Sequence, residues 1–496
     1  MFWADKLLEN TRGRQVINDS WTPSGIIHMG SLKGPVIHDT LAKILREKKT
    51  DVELRYGFDD MDPIDGLPEN LMKSHGQYLG VPIFNAPGMK EGETFGQHYS
   101  NIMKDLLEEL DIKPDVIYRT SELYKKGEFN EAIKIVLDKV SEVRKVYEEM
   151  YKKKLSDTWY PFQVICPNCG KLGTTKVVGW DGKEVEYECF PDLVDWAKGC
   201  GHKGNVSPYD GAGKMVWKVE WAAKWFTFGV TIEGAGKDHA SAGGSYDIAM
   251  ELVEKVFKKT KPLKLAYEFF LAGGKKMSSS KGLGLTGQEL LEVSGPQRSR
   301  FLMIRTSPNV AVEFSPKDTL AIPNLFDAYQ SSAKSEEEDQ KRIFKFSQAK
   351  GAEKVPDVRF ITIAQWIQMP NMQNQIKKEG LGEWAKYARV WVEKFAPEED
   401  KFEVKKETPS EAKNLSDKQK EFLQKVAGVL DKKWNAGEFQ TAIYELSKQM
   451  DLKSSEAFEA IYKALIGKNH GPKAAWLILS LDKEFVKKRF QEAANS

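Results

Sequence analysis

Two short polar segments far apart in the chain carry the residue types that bind nucleotide phosphates. The first reads Thr22-Pro23-Ser24-Gly25-Ile26-Ile27-His28-Met29-Gly30-Ser31. It runs into Leu32, Val36, Ile37, Leu41, Ile44 and Leu45, spaced as one face of a helix. An imidazole at a helix start faces an anion favoured by the free backbone N–H groups there. Gly25 and Gly30 let a ligand approach the backbone closely. The second segment, Gly273-Gly274-Lys275-Lys276-Met277-Ser278-Ser279-Ser280-Lys281-Gly282, sets three cations and three hydroxyls between glycines. That composition suits a loop that closes on phosphates. Taken together, the two segments suggest one divided ATP site.

A second constellation points to a metal. The four cysteines begin with Cys166-Pro167-Asn168-Cys169-Gly170. Two alternating stretches follow, Thr174 to Trp180 and Lys183 to Cys189, joined by a predicted Asp181-Gly182 turn, and then Cys200-Gly201-His202. Cys166, Cys169, Cys189 and Cys200 supply four thiolates, the soft tetrahedral set that zinc favours. Phe190 through Gly199 separate the last two, longer than a standard knuckle, so His202 is an alternative fourth ligand. With no open position, such a site is structural.

These residues need elements to hold them. Residues 1 to about 125 read as α/β. Asp51 to Phe58 is a predicted strand, and Asp59-Asp60-Met61-Asp62-Pro63 the loop at its end. Ligands of open α/β sheets sit outside strand ends, which makes these carboxylates candidates beside their ordinary use as caps and turns. Asn101 to Leu155 reads as charged helix, an insertion or connection rather than catalytic core. In Lys214 to Phe226, Trp217, Trp221 and Trp225 recur every four residues, the spacing of a packed helix face. Val230 to His239 is a predicted strand ending in the Gly236-Lys237-Asp238-His239 turn, suited to an adenosine, with Gly243-Gly244-Ser245 and a helix after it. A further predicted strand, Leu263 to Leu271, delivers the chain into the lysine-serine segment. Beyond about residue 330, past the charge run Ser335 to Arg342, helical patterns dominate.

Composition bounds the rest. A chain of 496 residues, 41% hydrophobic, divides into several domains. Lys+Arg 74 against Asp+Glu 72 leaves a net charge of +2, so any nucleic-acid surface rests on local patches. The sequence has no apolar run of membrane-spanning length and no signal-peptide pattern at its start, and the expected location is cytoplasmic.

The motifs TPSGxxHxGS at Thr22 to Ser31, GKDHxxxGGS at Gly236 to Ser245, YEFF at Tyr267 to Phe270 before KMSSSKG, CPxCG at Cys166 to Gly170 and GPKAA at Gly471 to Ala475 occur in one order. Together they resemble class I lysyl-tRNA synthetase, whose class carries the HIGH and KMSKS signatures. The resemblance implies an α/β Rossmann-type (HUP-like) catalytic domain over 1–330, with a helical connection at 101–160 and a zinc-ribbon insertion at 161–206. An all-α anticodon-binding domain would follow over 331–496. The implied reaction joins L-lysine to tRNA-Lys through a lysyl-adenylate, consuming ATP with Mg2+ and releasing AMP and diphosphate. The implied enzyme is a monomer with a structural Zn2+.

Carried over by position, the resemblance gives catalytic roles to His28, Ser31, Lys276, Ser278 and Ser279. ATP would also meet Pro23, Ser24, Gly25, Gly30, Gly236, Asp238, His239, Met277 and Lys281, with imidazolium, ammonium and backbone donors stabilising the phosphate charge. Lysine would meet Thr22, Ser24, Trp217, His239 and Tyr267, with a carboxylate such as Asp19 for an amine. Two positions depart from the class: Ser31 stands where HIGH ends in histidine, and Ser279 where KMSKS has its second lysine. A glutamyl-type synthetase, or an RNA-binding paralogue without activation activity, is the alternative.

Overall fold

The computed structural model describes residues 1–277 and 284–496. In chain order its strands are β1 (Gln15–Trp21), β2 (Val52–Phe58), β3 (Val116–Arg119), β4 (Phe162–Val164), β5 (Thr175–Trp180), β6 (Val185–Cys189) and β7 (Lys203–Val206). They continue as β8 (Gly213–Met215), β9 (Ile232–Gly236), β10 (Leu263–Tyr267), β11 (Phe270–Ala272), β12 (Lys275–Lys276) and β13 (Val312–Glu313).

The central sheet has the order β10-β9-β1-β2-β3, and every pairing in it is parallel. Gln15 through Asp19 of β1 are buried, as expected of an inner strand covered on both faces. From β1 the chain builds outward through β2 to β3, then returns on the other side as β9 and β10. The order therefore reverses between β1 and β9, where a crevice opens at the carboxyl ends of the strands. The loop after β1 begins the first motif, and the loop after β9 carries the GKDH turn.

The helix Lys33–Glu47 crosses from β1 to β2 with Val36, Ile37, Leu41, Ile44 and Leu45 buried. The helix Phe95–Glu109 starts in a capping box made by Thr94 and Gln97. Two expectations need correction. The stretch 101–155 is not only connection, because it contributes β3, the edge strand of the central sheet. Its helical periodicity masks a four-residue strand. Leu263 to Leu271 is two strands rather than one: β10 pairs with β9, whereas β11 pairs with β12 and β13. The break falls at Glu268-Phe269, so the lysine-serine segment leaves from a small separate sheet.

Tyr118 of β3 shows how tightly the core sheet is specified. A Cβ on Gly57 of β2 would lie 2.2 Å from the Tyr118 ring. Glycine there admits the ring, whose hydroxyl donates to Asn18 Oδ1 at 3.0 Å.

The chain forms two compact units. One comprises Met1–Leu291, Pro296–Phe314 and Ser335–Glu353; the other comprises Glu292–Gly295, Ser315–Lys334 and Lys354–Ser496. The described residues of the second unit form helices and loops without a strand. Its core includes Phe326 stacked on Phe360 at 4.0 Å, with Trp384 edge-on to Phe326 at 4.7 Å. Phe422, Ile461, Leu465 and Phe490 are fully buried in it, and the buried Arg489 donates to the carbonyls of Ala464, Lys405 and Lys406. Among the described residues, no helix is long and apolar enough to cross a membrane.

Candidate active site

The two phosphate-type segments meet in the fold. His28 forms an isolated antiparallel bridge with Thr286. Met29 N–H donates to the Leu285 carbonyl at 2.9 Å, and Gly287 N–H donates to the Ile27 carbonyl at 2.8 Å. Thr286 in turn caps the helix Gly287–Ile304 through a capping box with Glu289. The first motif is thus joined to the chain that leaves the second. His28 Nδ1 is buried and has no hydrogen-bond partner. A Cβ on Gly30 would lie 2.8 Å from the imidazole, so glycine keeps that ring in place. Burial, and secondarily the Lys276 ammonium, hold the His28 pKa below its ordinary 6.5. Burial thus disfavours the imidazolium unless a phosphate lies beside it.

Lys276 pairs with Asp238 of the GKDH turn, and its ammonium lies 4.1 Å from the Phe269 ring centre. Met277 is buried and donates its N–H to Phe270 at 3.1 Å. Ser278, Ser279 and Lys281 lie outside the described residues. Ser31 N–H donates to the His28 carbonyl at 2.9 Å, and Gly25 has open space where a Cβ would be. Pro23 and Ser24 form the turn between β1 and His28, with Ser24 N–H donating to the Thr22 carbonyl at 2.8 Å.

The tryptophan row grades from solvent to core. Trp225 is 2% exposed, whereas Trp217, the first residue of the helix Trp217–Phe228, is 42% exposed. Trp217 stacks on Trp221 at 5.8 Å and meets His239 edge-on at 5.3 Å. The expectation of one packed face fails at Trp217, which forms a wall beside the GKDH turn. The buried Glu233 carboxylate of β9 sets the row: it accepts Trp221 Nε1 and Trp225 Nε1, each at 2.7 Å, and Asn18 Nδ2 at 2.9 Å.

Asp19 and Tyr267 converge beneath the first turn of the helix Lys33–Glu47. A Cβ on Gly34 would lie 2.8 Å from Tyr267 Oη and 3.0 Å from Asp19 Oδ2. Asp19 Oδ2 is 3.2 Å from His38 Nδ1 but makes no hydrogen bond. His38 Nε2 accepts Gly234 N–H at 2.7 Å, so the proton sits on Nδ1. Tyr56, opposite Asp19 in the β1–β2 register, has a buried hydroxyl without a partner. Two buried oxygens without hydrogen bonds at the carboxyl ends of adjacent strands suit an incoming donor.

Behind Thr22 lies a buried ionic network. Thr22 Oγ1 donates to Asp62 Oδ2 at 3.0 Å, Lys214 joins Asp62 to Glu220, and Lys224 joins Asp59 to Glu220. Ser20 Oγ donates to Asp59 at 2.9 Å. Lys214 and Lys224 neutralise Asp62 and Asp59, while burial pushes the Glu220 carboxyl above its ordinary range. The Asp59 to Asp62 loop therefore anchors the wall through buried lysines that hydrophobic patterning does not mark.

Lys33 is the other residue that sequence patterning missed. It follows the first motif, is 2% exposed, and donates to the Glu268 carbonyl at 2.8 Å. That carbonyl lies at the break between β10 and β11. Burial lowers the Lys33 pKa to about 8, against the opposing attraction of the Glu268 carboxylate. A lysine in an otherwise apolar helix face was the available signal.

The four cysteines form one cluster with all sulfurs within 4.8 Å of one another. Cys166 and Cys200 sulfurs are 3.6 Å apart, and those of Cys169 and Cys189 are 3.7 Å apart. Gly170 and Gly201, each following a cysteine, turn the chain at φ +72° and +77°. The residues between Cys189 and Cys200 loop out and return, with Gly199 N–H donating to the Phe190 carbonyl at 3.1 Å. That return places Cys200 beside Cys189 despite the long spacing. His202 Nδ1 is instead 2.9 Å from Tyr187 Oη.

Residues 2–350 match the family described as tRNA synthetases class I (K), and residues 328–494 match an anticodon binding domain. The parallel sheet, with its motifs at the β1 and β9 ends, is accordingly that of a class I tRNA synthetase. Three lysine–tRNA ligases are similar over almost the whole chain. That of Methanosphaera stadtmanae is 31% identical over 98% of this chain and 98% of its own. "Lysine--tRNA ligase 1" of Methanosarcina acetivorans is 34% identical over 100% and 98%, and the Archaeoglobus fulgidus protein 32% over 99% and 100%. The chain belongs to the class I lysyl-tRNA synthetase family.

Proposed function

We infer that this chain joins L-lysine to tRNA at the expense of ATP. The observation that carries the reading is its similarity, across nearly its full length, to lysine–tRNA ligases. The lysine carboxylate attacks the α-phosphorus of ATP, diphosphate leaves, and a terminal ribose hydroxyl of the tRNA then displaces AMP from the lysyl-adenylate. No protein nucleophile is needed; the enzyme positions the reactants and stabilises phosphate charge.

In this reading His28, the backbone around Gly30 and Ser31, and Lys276 face the phosphates. The joining of His28 to Thr286 and the proximity of Lys276 support that assignment. Ser278, Ser279 and Lys281 belong to the same proposal by motif position. The turn from Pro23 to Gly25, together with Gly236, Asp238, His239 and Met277, frames the nucleotide, which enters as its Mg2+ complex with the ion on the phosphates.

Lysine lies against Trp217, its aliphatic stem along the indole and an ammonium within reach of the ring face. Thr22, Ser24, His239 and Tyr267 complete the pocket. Asp19 takes an ammonium, supported by its Oδ2 having no hydrogen bond beside Tyr267.

Cys166, Cys169, Cys189 and Cys200 hold a structural Zn2+. Four sulfurs about 2.3 Å from one ion stand about 3.8 Å apart in a tetrahedron, near the Cys166–Cys200 and Cys169–Cys189 separations of 3.6 and 3.7 Å. Bound there, zinc cross-links the ribbon β5-β6-β7 to the chain after β4.

Charging of a tRNA-Lys transcript with labelled amino acids tests the reading. Lysine attachment with release of AMP supports it, and charging with glutamate in place of lysine contradicts it.

A further inference from the structure

The small sheet that carries Lys276 meets the central sheet across two residues. Tyr267, the last residue of β10, is in register with Gly236 of β9, whereas Phe270, the first of β11, is in register with Val312 of β13. Glu268 and Phe269 lie between. Rotation about their backbone bonds would swing β11 and β12 relative to β9 and β10.

The bonds at this break divide by side. Glu268 N–H donates to the Pro308 carbonyl at 2.8 Å, and the Phe269 carbonyl accepts Val312 N–H at 3.3 Å. Both partners belong to β13 or the chain that leads into it, so these bonds turn with the small sheet. Two lysines reach the break from the side of the central sheet. Lys237 pairs with the Glu268 carboxylate at 2.7 Å, but its side chain is 54% exposed, which leaves the pair weak. Lys33 is buried: it donates to the Glu268 carbonyl at 2.8 Å, and its ammonium lies 5.2 Å from the Phe270 ring centre.

Lys33 opens the helix that follows the first motif. Gly34 beside it packs so closely on the end of β10 that a Cβ would lie 2.8 Å from Tyr267 Oη, which brings Lys33 to the break. The same motif holds the chain beyond the lysine-serine segment, where Met29 N–H donates to the Leu285 carbonyl. It therefore grips the chain on both sides of that segment. Burial lowers the Lys33 pKa to about 8, so its charge costs stability at pH 7. An apolar side chain would fill this place without that cost, but it could not bind the Glu268 carbonyl.

We propose that Lys33 is a positioning residue for adenylate formation: its hold on the Glu268 carbonyl fixes the β10–β11 break and so sets Lys276 for the phosphates. This inference rests on the ligase reading, which puts Lys276 on ATP, and adds to it a residue that acts through another side chain. From Lys33 the path runs through Glu268 and Phe270 into β11, whose Leu271 and Ala272 pair with Lys276 and Lys275. Phe270 also accepts Met277 N–H at 3.1 Å.

The test is a double-mutant cycle in lysine-dependent ATP–pyrophosphate exchange, with kcat and both KM values measured on the full chain. Lys33→Met should lower kcat by about ten- to a hundredfold, with the KM for lysine within about twofold of the unaltered value. Lys33→Arg, which keeps a cationic donor, should recover most of the loss. Added to Lys276→Ala, Lys33→Met should cost less than about threefold more, because the side chain it positions is already gone. Amide hydrogen exchange gives a readout apart from activity: residues 270–277 should lose protection in Lys33→Met while β1 and β9 keep theirs. Unchanged kcat in Lys33→Met, losses that multiply with Lys276→Ala, or unchanged protection over 270–277 would each overturn the proposal. Lost protection throughout β1 and β9 would overturn it as well, by making Lys33 a residue of the fold alone. An unaltered chain without lysine-dependent pyrophosphate exchange would refute the ligase reading instead, and the amide protection would still decide whether Lys33 holds the break.

Discussion

His28 is bridged through the backbone to Thr286, so the chain that carries the first motif's imidazole is held against the residue that caps the helix after the second. Backbone hydrogen bonds between Met29 and Leu285 and between Gly287 and Ile27 hold the first motif against the chain that follows the second.

The first prediction concerns His28. Its pKa lies below 6.5 in the free protein because burial, and then Lys276, disfavour the cation. Triphosphate beside it favours the cation, so ATP binding should raise that pKa, measurable by NMR titration of the ring. Relative to His28→Gln, ATP affinity should strengthen as pH falls through the interval between the two values. His28→Ala should slow adenylate formation by about a hundredfold while leaving tRNA affinity unchanged. Equal loss of both would mean that the histidine only holds the fold.

Lys33 offers a stability test with a definite sign. Its folded pKa of about 8 lies below the ordinary 10.5, so the unfolded chain holds more protons between these values. Stability should therefore rise with pH across that window, and the cost of the buried charge is fully present at pH 7. Against Lys33→Met, the unaltered chain should gain about 1.4 kcal/mol per pH unit from pH 8 towards 10 in denaturant unfolding. A pH-independent difference would show that Lys33 is solvated in the native state.

Asp19→Asn keeps the shape and removes the charge. The KM for lysine should rise about ten- to a hundredfold, the scale of one charge-assisted hydrogen bond, with a smaller effect on kcat. A variant with unaltered KM but lowered stability would reduce Asp19 to a partner of His38.

Cys166→Ser should lower bound zinc from one equivalent and reduce thermal stability, both recoverable in the unaltered chain by adding zinc after chelation. Unchanged metal content by atomic absorption would remove the zinc assignment.

The sequence and the structure agree where a motif is local and diverge where contact is long-range. The helix after Ser31, the β5–β6 hairpin around Asp181-Gly182 and the strand after Asp51 were legible because period and turn chemistry act within a few residues. Strand β3 was hidden in a helical stretch, since four residues give too short a pattern. Trp217 follows the same spacing as Trp225, yet only the end of the helix at the crevice leaves it exposed. Lys214 and Lys224 were invisible for a related reason: each is tolerated in the core only beside Asp62 or Asp59 from a distant loop, and no local rule names those partners. The joining of His28 to Thr286 is likewise a long-range pairing, although the two motifs already suggested a common site.

The central claim, that this site activates lysine, is tested most directly by ATP–pyrophosphate exchange measured with each of the twenty amino acids, with and without tRNA. Exchange that depends on lysine and exceeds that with every other amino acid is the predicted result. Exchange driven by glutamate, or tRNA binding without exchange for any amino acid, would contradict it.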